Sequence, residues 1–225
     1  MPKPTTSTSA VDPIVPRSPA GRLGWFALLL GVLLATACSG QGKEPSAATK
    51  LAALTLQNVN GASFRPFADT NRQATLFFFL MHECPVANAY APEINRIVAE
   101  HPSVRSYIVY VESDLTAETG RRHAKEYGFT CPALLDPKHE LVRAAGATVS
   151  PEAALFSPAG ELVYRGRIDD RVTDFGKRRV QPTRRDLRQA LEAFLAGRPI
   201  PDRRTKAIGC YIPETTPARP TPRQP

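Results

Sequence analysis

Long hydrophobic runs are missing from this 225-residue chain. The one extended apolar stretch, Leu23 to Ala37, has 15 residues, short of the roughly 20 that a membrane-spanning helix needs. Cysteine is scarce: there are four, Cys38, Cys84, Cys131 and Cys210, and no two stand close enough in sequence to form a local dithiol or a paired-cysteine metal site. No Ser/His/Asp grouping, phosphate-cradling glycine loop or internal repeat stands out, so neither triad hydrolysis nor nucleotide binding is suggested and no organic cofactor is implied. Charge of one sign is in excess, with 29 Lys and Arg against 21 Asp and Glu and a formal net charge of +8. The excess sits late, in Arg165, Arg167, Arg171, Lys177, Arg178, Arg179, Arg184, Arg185 and Arg188. No series of aromatic residues alternates with it as a nucleic-acid stacking platform would require, so a solvated basic face is expected and nucleic acid is not an expected partner.

The N-terminal region begins with a Pro/Ser/Thr-rich run, passes Arg22, and enters the apolar stretch that ends in Ala35-Thr36-Ala37-Cys38. That order reads as a secretory signal with cleavage before Cys38. Leu34-Ala35-Thr36-Ala37-Cys38-Ser39 resembles a bacterial lipobox, in which the new terminal cysteine is acylated. The expectation is a signal peptide over 1–38, lipid on Cys38, and an exported lipoprotein held on a membrane and facing the periplasm. An uncleaved anchor is the alternative, and it leaves the rest of the chain on the same side. With Cys38 lipidated, three cysteines remain in a compartment that permits disulfides, so one stays unpaired.

The length allows one domain of roughly 150 residues. Residues 39–50, polar and small with Pro45, suit a flexible tether, 51–212 form the domain, and the Pro/Thr/Arg segment 213–225 is expected to be disordered. Leu54 to Val59, the Asn60-Gly61 turn and Ser63 to Arg65 read as a hairpin. Ala74 to Met81 is a continuous aromatic-rich run suited to a buried central strand. Ala91, Ile94, Ile97 and Val98 recur at helical spacing, Val104 to Val111 is strand-like, and Thr116 to Tyr127 reads as a helix closed by Gly128. A short strand at Leu134-Leu135, a short helix over Glu140 to Ala145, an antiparallel pair over Glu152 to Phe156 and Leu162 to Arg165, and a last helix over Arg184 to Ala196 complete the pattern. Helical crossovers make the first two central strands parallel.

Cys84 stands where the buried strand gives way to a helix, with Pro85 in the first turn, where a missing N–H costs nothing. Free amides and the helix dipole there favour a thiolate, the nucleophile of disulfide exchange and peroxide attack. Around it, Phe77-Phe78-Phe79-Leu80-Met81-His82-Glu83-Cys84-Pro85, then Tyr127 to Pro137, then Gly146-Ala147-Thr148-Val149-Ser150-Pro151, resemble landmarks of the alkyl hydroperoxide reductase/thiol-specific antioxidant (redoxin) family. The resemblance runs from about Leu51 to Leu195 and implies an α/β, thioredoxin-like fold: a central mixed sheet of four or five strands, flanking helices and an N-terminal β-hairpin. It implies a cis Pro151 facing Cys84, with Ser150 offering backbone groups to a bound peptide beside Pro85. Partners would be protein or small-molecule thiols and disulfides, an extracytoplasmic electron donor, and the membrane through the lipid.

Two departures from the family pattern bear on activity. A thioredoxin-type site has a second cysteine where this chain has Ala87, so Cys84 needs a distant partner. The peroxiredoxin pattern has Pro and a hydroxyl residue where Phe77 and Met81 stand, which counts against peroxide turnover. The resolving candidates are Cys210, preferred because it follows the final helix and its Gly-Cys-x-Ile setting resembles redoxin-domain endings, and Cys131, which equally reads as a small core residue. A copper-handling protein using His82 and Cys84 is a second reading, with His101, His123 and His139 read as solvent-facing. A catalytically silent binding module is a third.

Overall fold

The computed structural model of the chain describes residues 47–68 and 71–215. The signal segment 1–38 with Cys38, tether residues 39–46 and the tail beyond Thr215 lie outside the described residues. In chain order the elements are α1 (Ala47–Ala53), β1 (Leu56–Asn58), β2 (Ser63–Phe64), β3 (Ala74–Leu80), α2 (Pro85–Ala89), α3 (Ala91–Glu100), β4 (Val104–Tyr110), α4 (Ala117–Glu126), β5 (Ala133–Leu135), α5 (Glu140–Ala145), β6 (Val149–Ser150), β7 (Glu152–Phe156), β8 (Leu162–Gly166), β9 (Val172–Asp174), β10 (Lys177–Arg178), α6 (Asp186–Leu195) and β11 (Cys210–Tyr211). The fold is thioredoxin-like.

Every residue of β3 is buried, which follows from a strand covered on both faces. Its side chains divide by alternation. Leu76, Phe78 and Leu80 pack with Ala87 of α2, Tyr90 at the α2–α3 junction, Ile94 and Ile97 of α3, and Leu187 and Leu191 of α6. Phe77 and Phe79 pack on the opposite face with Leu54, Leu141, Val142 and Ala145. Phe77 also stacks on Tyr107, ring centroids 5.5 Å apart, and meets Phe156 edge-on at 5.7 Å.

One sheet of seven strands holds the domain, in the order β2-β1-β5-β4-β3-β7-β8. β5, β4 and β3 are parallel, and β7, β8 and the β1–β2 hairpin add antiparallel flanks. The expected four or five strands become seven because the N-terminal hairpin joins the edge beside β5 rather than standing apart. Two helices follow Cys84 where one pattern was expected. α2 stops at Tyr90, and α3 starts with Pro92 in its first turn, where the missing N–H suits a new start and not a continuing ladder. α1 occupies residues 47–50, the end of the stretch expected to be tether.

The basic run is only partly a solvated face. Arg167, Arg171 and Arg188 pair with the buried carboxylates of Asp186, Asp169 and Glu93 at 2.7, 3.2 and 2.7 Å. Burial raises the carboxyl pKa of Glu93, but hydrogen bonds from Arg188 and Arg96 outweigh that and hold it below the usual range. Arg188 therefore fastens α6 to α3, Arg167 fastens the segment after β8 to α6, and Arg171 braces the loop before β9 internally. Lys177 and Arg178 remain exposed.

Candidate active site

The chain leaves β3 at Leu80 and reaches Cys84, which caps α2 in extended backbone conformation with Pro85 in the first turn. The cysteine is 2% exposed. Its Sγ lies 3.2 Å from the carbonyl oxygen of Ser150, and the Ser150–Pro151 peptide is cis. The Ser150 hydroxyl accepts a hydrogen bond from the Met81 N–H at 2.7 Å, which ties the end of β3 to β6.

After α6 the chain returns along β8. The Arg165 N–H donates to the Arg203 carbonyl at 3.0 Å and the Thr205 N–H donates back to the Arg165 carbonyl at 3.1 Å. β11 then pairs antiparallel with β6, setting Cys210 opposite Ser150 and Tyr211 opposite Val149, and the Ile212 N–H donates to the Thr148 carbonyl at 3.0 Å. Gly209 makes this approach possible, because a Cβ there would overlap the Ser150 carbonyl oxygen. Cys210 forms a disulfide with Cys84 across a Cα–Cα distance of 6.1 Å, inside the range of about 4.4–6.8 Å usual for such bridges.

Three of the expected site residues, Cys84, Ser150 and Pro151, thus meet a fourth, Cys210, and Pro85 borders the same bridge. Ser150 differs from expectation in one respect: its backbone faces the chain's own β11 in this oxidised form, not an open peptide site. Cys131 is not brought in. It is a free thiol, packed against the core cluster on the α2–α3 face of the sheet, and burial pushes its pKa up to about 12.

A polar network that the sequence did not signal lies beside the start of α2. Glu112 Oε1 accepts from the His82 N–H at 2.5 Å and lies 2.8 Å from His82 Nδ1. Asn88 Nδ2 donates to the His82 carbonyl at 2.9 Å, so its Oδ1 is free to accept from His123 Nε2, also at 2.9 Å. His123 Nδ1 is then left to accept from the Tyr110 hydroxyl at 2.7 Å. Burial, with neighbouring His82, holds His123 below its ordinary imidazole value, consistent with this neutral pattern. His123 and His139 are buried rather than solvent-facing. The first sits against Tyr110, Tyr127 and Phe129, and the second has Nε2 2.5 Å from the Val111 carbonyl oxygen. Among the described residues no three His, Cys, Asp or Glu side chains gather as a metal site. Both members of the alternative metal pair have other partners, Cys84 in the disulfide and His82 on Glu112.

Residues 47–165 match the family described as AhpC/TSA. The chain belongs to the AhpC/TSA family. Cys84 and cis Pro151 lie inside the matched span of this AhpC/TSA chain, whereas β9, β10, α6 and the Cys210 strand lie beyond it. The chain is similar to the crystal structure of an uncharacterized conserved protein from Geobacillus kaustophilus, at 27% identity and a TM-score of 0.63, over 73% of this chain and 90% of that one. It is also similar to that of a hypothetical protein from Sinorhizobium meliloti 1021, at 25% identity and a TM-score of 0.61, over 71% and 89% of the two chains. No curated protein matches it.

Proposed function

We propose that this AhpC/TSA protein is a thiol-disulfide oxidoreductase in which Cys84 is the nucleophile and Cys210 the resolving cysteine. The observation that carries the reading is the Cys84–Cys210 disulfide at the start of α2, opposite the cis Ser150–Pro151 peptide. In the reduced protein the Cys84 thiolate, favoured by the first-turn amides, attacks a substrate disulfide. A bond forms between Cys84 and one substrate sulfur while the other leaves with the electron pair. The Cys210 thiolate then attacks the Cys84 sulfur, closing the observed bridge and releasing the second substrate thiolate. Two electrons pass to the substrate, and the protons of the two protein thiols balance its two thiols. Run backwards, the same steps oxidise a dithiol.

Peroxide is a poor substrate on this reading. Phe77 is fully buried in the aromatic core, and neither it nor Met81 carries the hydroxyl that would orient a peroxide. Peptide mapping without reductant should recover Cys84 linked to Cys210, dithiothreitol should free both, and Cys131 should alkylate in either state only slowly at neutral pH. A Cys84–Cys131 link, or a free Cys84 under oxidising conditions, would overturn the assignment.

Export and acylation at Cys38 belong to the same proposal, supported by the apolar run that ends at that cysteine and by the fit of a disulfide to an oxidising compartment. Palmitate labelling of the wild type that is lost in Cys38→Ser is the expected result. Equal labelling of both would remove the lipoprotein reading. Electron donor and substrate are then extracytoplasmic thiol or disulfide compounds.

A further inference from the structure

The β9–β10 hairpin stands outside the seven-stranded sheet and beyond the residues that match the family. A two-stranded ribbon is marginal on its own, yet the base of this one is firmly held. Asp170 accepts from the Thr183 and Arg184 N–H groups at 2.7 and 2.8 Å and from the Thr183 hydroxyl. Asp169 accepts from the Tyr90 hydroxyl at 2.6 Å, and the Arg171 guanidinium sits over the Tyr90 ring. The tip, in contrast, offers Phe175 to solvent at 60% exposure, with Lys177 and Arg178 exposed behind it.

Between this hairpin and the start of α2 lies a cavity of about 420 Å³. Pro85, Val86, Val172 and Phe175 give it apolar walls, and Cys210 borders it. Its cations are Lys177 and Arg178, and its one acidic residue, Asp174, already pairs with Lys177 at 3.4 Å. On the other side of Phe175 a second cavity adds Arg165, Arg204 and Lys206 against the carboxylates of Glu152 and Asp174. Glu152 pairs with Arg165 at 3.4 Å, and among the described residues neither Arg204 nor Lys206 has a carboxylate within salt-bridge distance. Burial first, then the nearby guanidiniums of Arg165 and Arg203, lower the pKa of Arg204, and the carboxylate of Glu152 only partly offsets them. An exposed aromatic flanked by cations on both sides, next to a redox-active sulfur, is complementary to an apolar and acidic ligand longer than a single amino acid.

We infer that the hairpin groove is the substrate subsite, and that it takes an extended segment of a partner protein whose cysteine is flanked by an apolar residue and by acidic residues. The inference rests on the thiol-disulfide reading above. Its test uses reduced full-length protein and the symmetric disulfides of two short peptides with the same cysteine and apolar neighbour, one carrying glutamates and the other lysines.

The acidic peptide should be reduced about tenfold faster at low ionic strength, with the gap closing at about 0.5 M salt as surface charges are screened. Lys177→Glu with Arg178→Glu should reverse the order, and Phe175→Ala should slow both peptides. Equal rates for the two peptides at low salt, an unchanged order in the double variant, or a single acidic amino-acid disulfide reacting as fast as the peptide would overturn it. Reversible opening of the wild-type disulfide by uncharged dithiothreitol separates the two levels. If that exchange occurs and the peptides show no charge preference, the groove assignment fails alone; if it does not occur, the underlying reading fails as well.

Discussion

Asp170 shows how one buried carboxylate holds the base of the β9–β10 hairpin in place. Burial works to raise its pKa, but the Thr183 hydroxyl, the Thr183 and Arg184 amides and the Arg179 charge outweigh that and hold it at about 2, against 3.8 for an ordinary aspartate. A depressed value in the folded state means that its contribution is complete above about pH 4 and is lost as the pH falls towards 2. The urea midpoint should drop across that window. Asp170→Asn should be less stable at neutral pH and show a shallower drop, and parallel profiles for the two proteins would show that Asp170 is not the titrating group. At this scale the sequence exposes the chemistry that depends on position along the chain: Cys84 after a buried run, Pro85 in a first turn, Pro151 before a strand. It does not expose Glu112, Asn88 or Tyr110, because their roles come from side chains that meet across elements and leave no spacing to read.

Among the elements, β11 has the least local support and depends most on its neighbours. It is two residues long and exists because Gly209 lets the chain approach the Ser150 carbonyl. Gly209→Val should therefore slow formation of the Cys84–Cys210 bridge several-fold in an oxidation time course, with the sheet intact by circular dichroism. Closure at the wild-type rate would mean that β11 can dock by another path. Elements with their own periodicity were legible: β3 and β4 from continuous apolar runs, α3 from Ile94, Ile97 and Val98, and α4 up to Gly128. β6 and β11 were not, since two residues carry no period. The β9–β10 hairpin did leave a turn signal, Asp174-Phe175-Gly176, with Gly176 at φ 71°, but its strands are too short and polar to stand out from the basic run.

For the whole molecule, the disulfide spans 126 residues of chain, a cross-link that the loop-entropy model values at roughly 4 to 5 kcal/mol. Oxidised wild type should melt higher than reduced wild type by on the order of 10 °C. Cys210→Ser should melt close to the reduced protein whether or not dithiothreitol is present. Coincident melting of the two redox forms would show that the link does not constrain the unfolded chain. The thioredoxin-like architecture was readable because strand and helix alternate in the order that builds a parallel centre. The seven-strand count was not, because which sheet edge accepts the hairpin is decided by packing.

The placement of the three cysteines of the domain also decides which of them can pair. The chain emerges from its N-terminus, so Cys131 appears ahead of Cys210. Cys131 lies beside β5, a parallel strand that pairs with β4, and once that pairing forms its sulfur is packed away with a proton held on it by burial. The core thus chooses the partner: with the Cys131 thiol packed away, Cys210 is the cysteine of the folded domain that reaches Cys84.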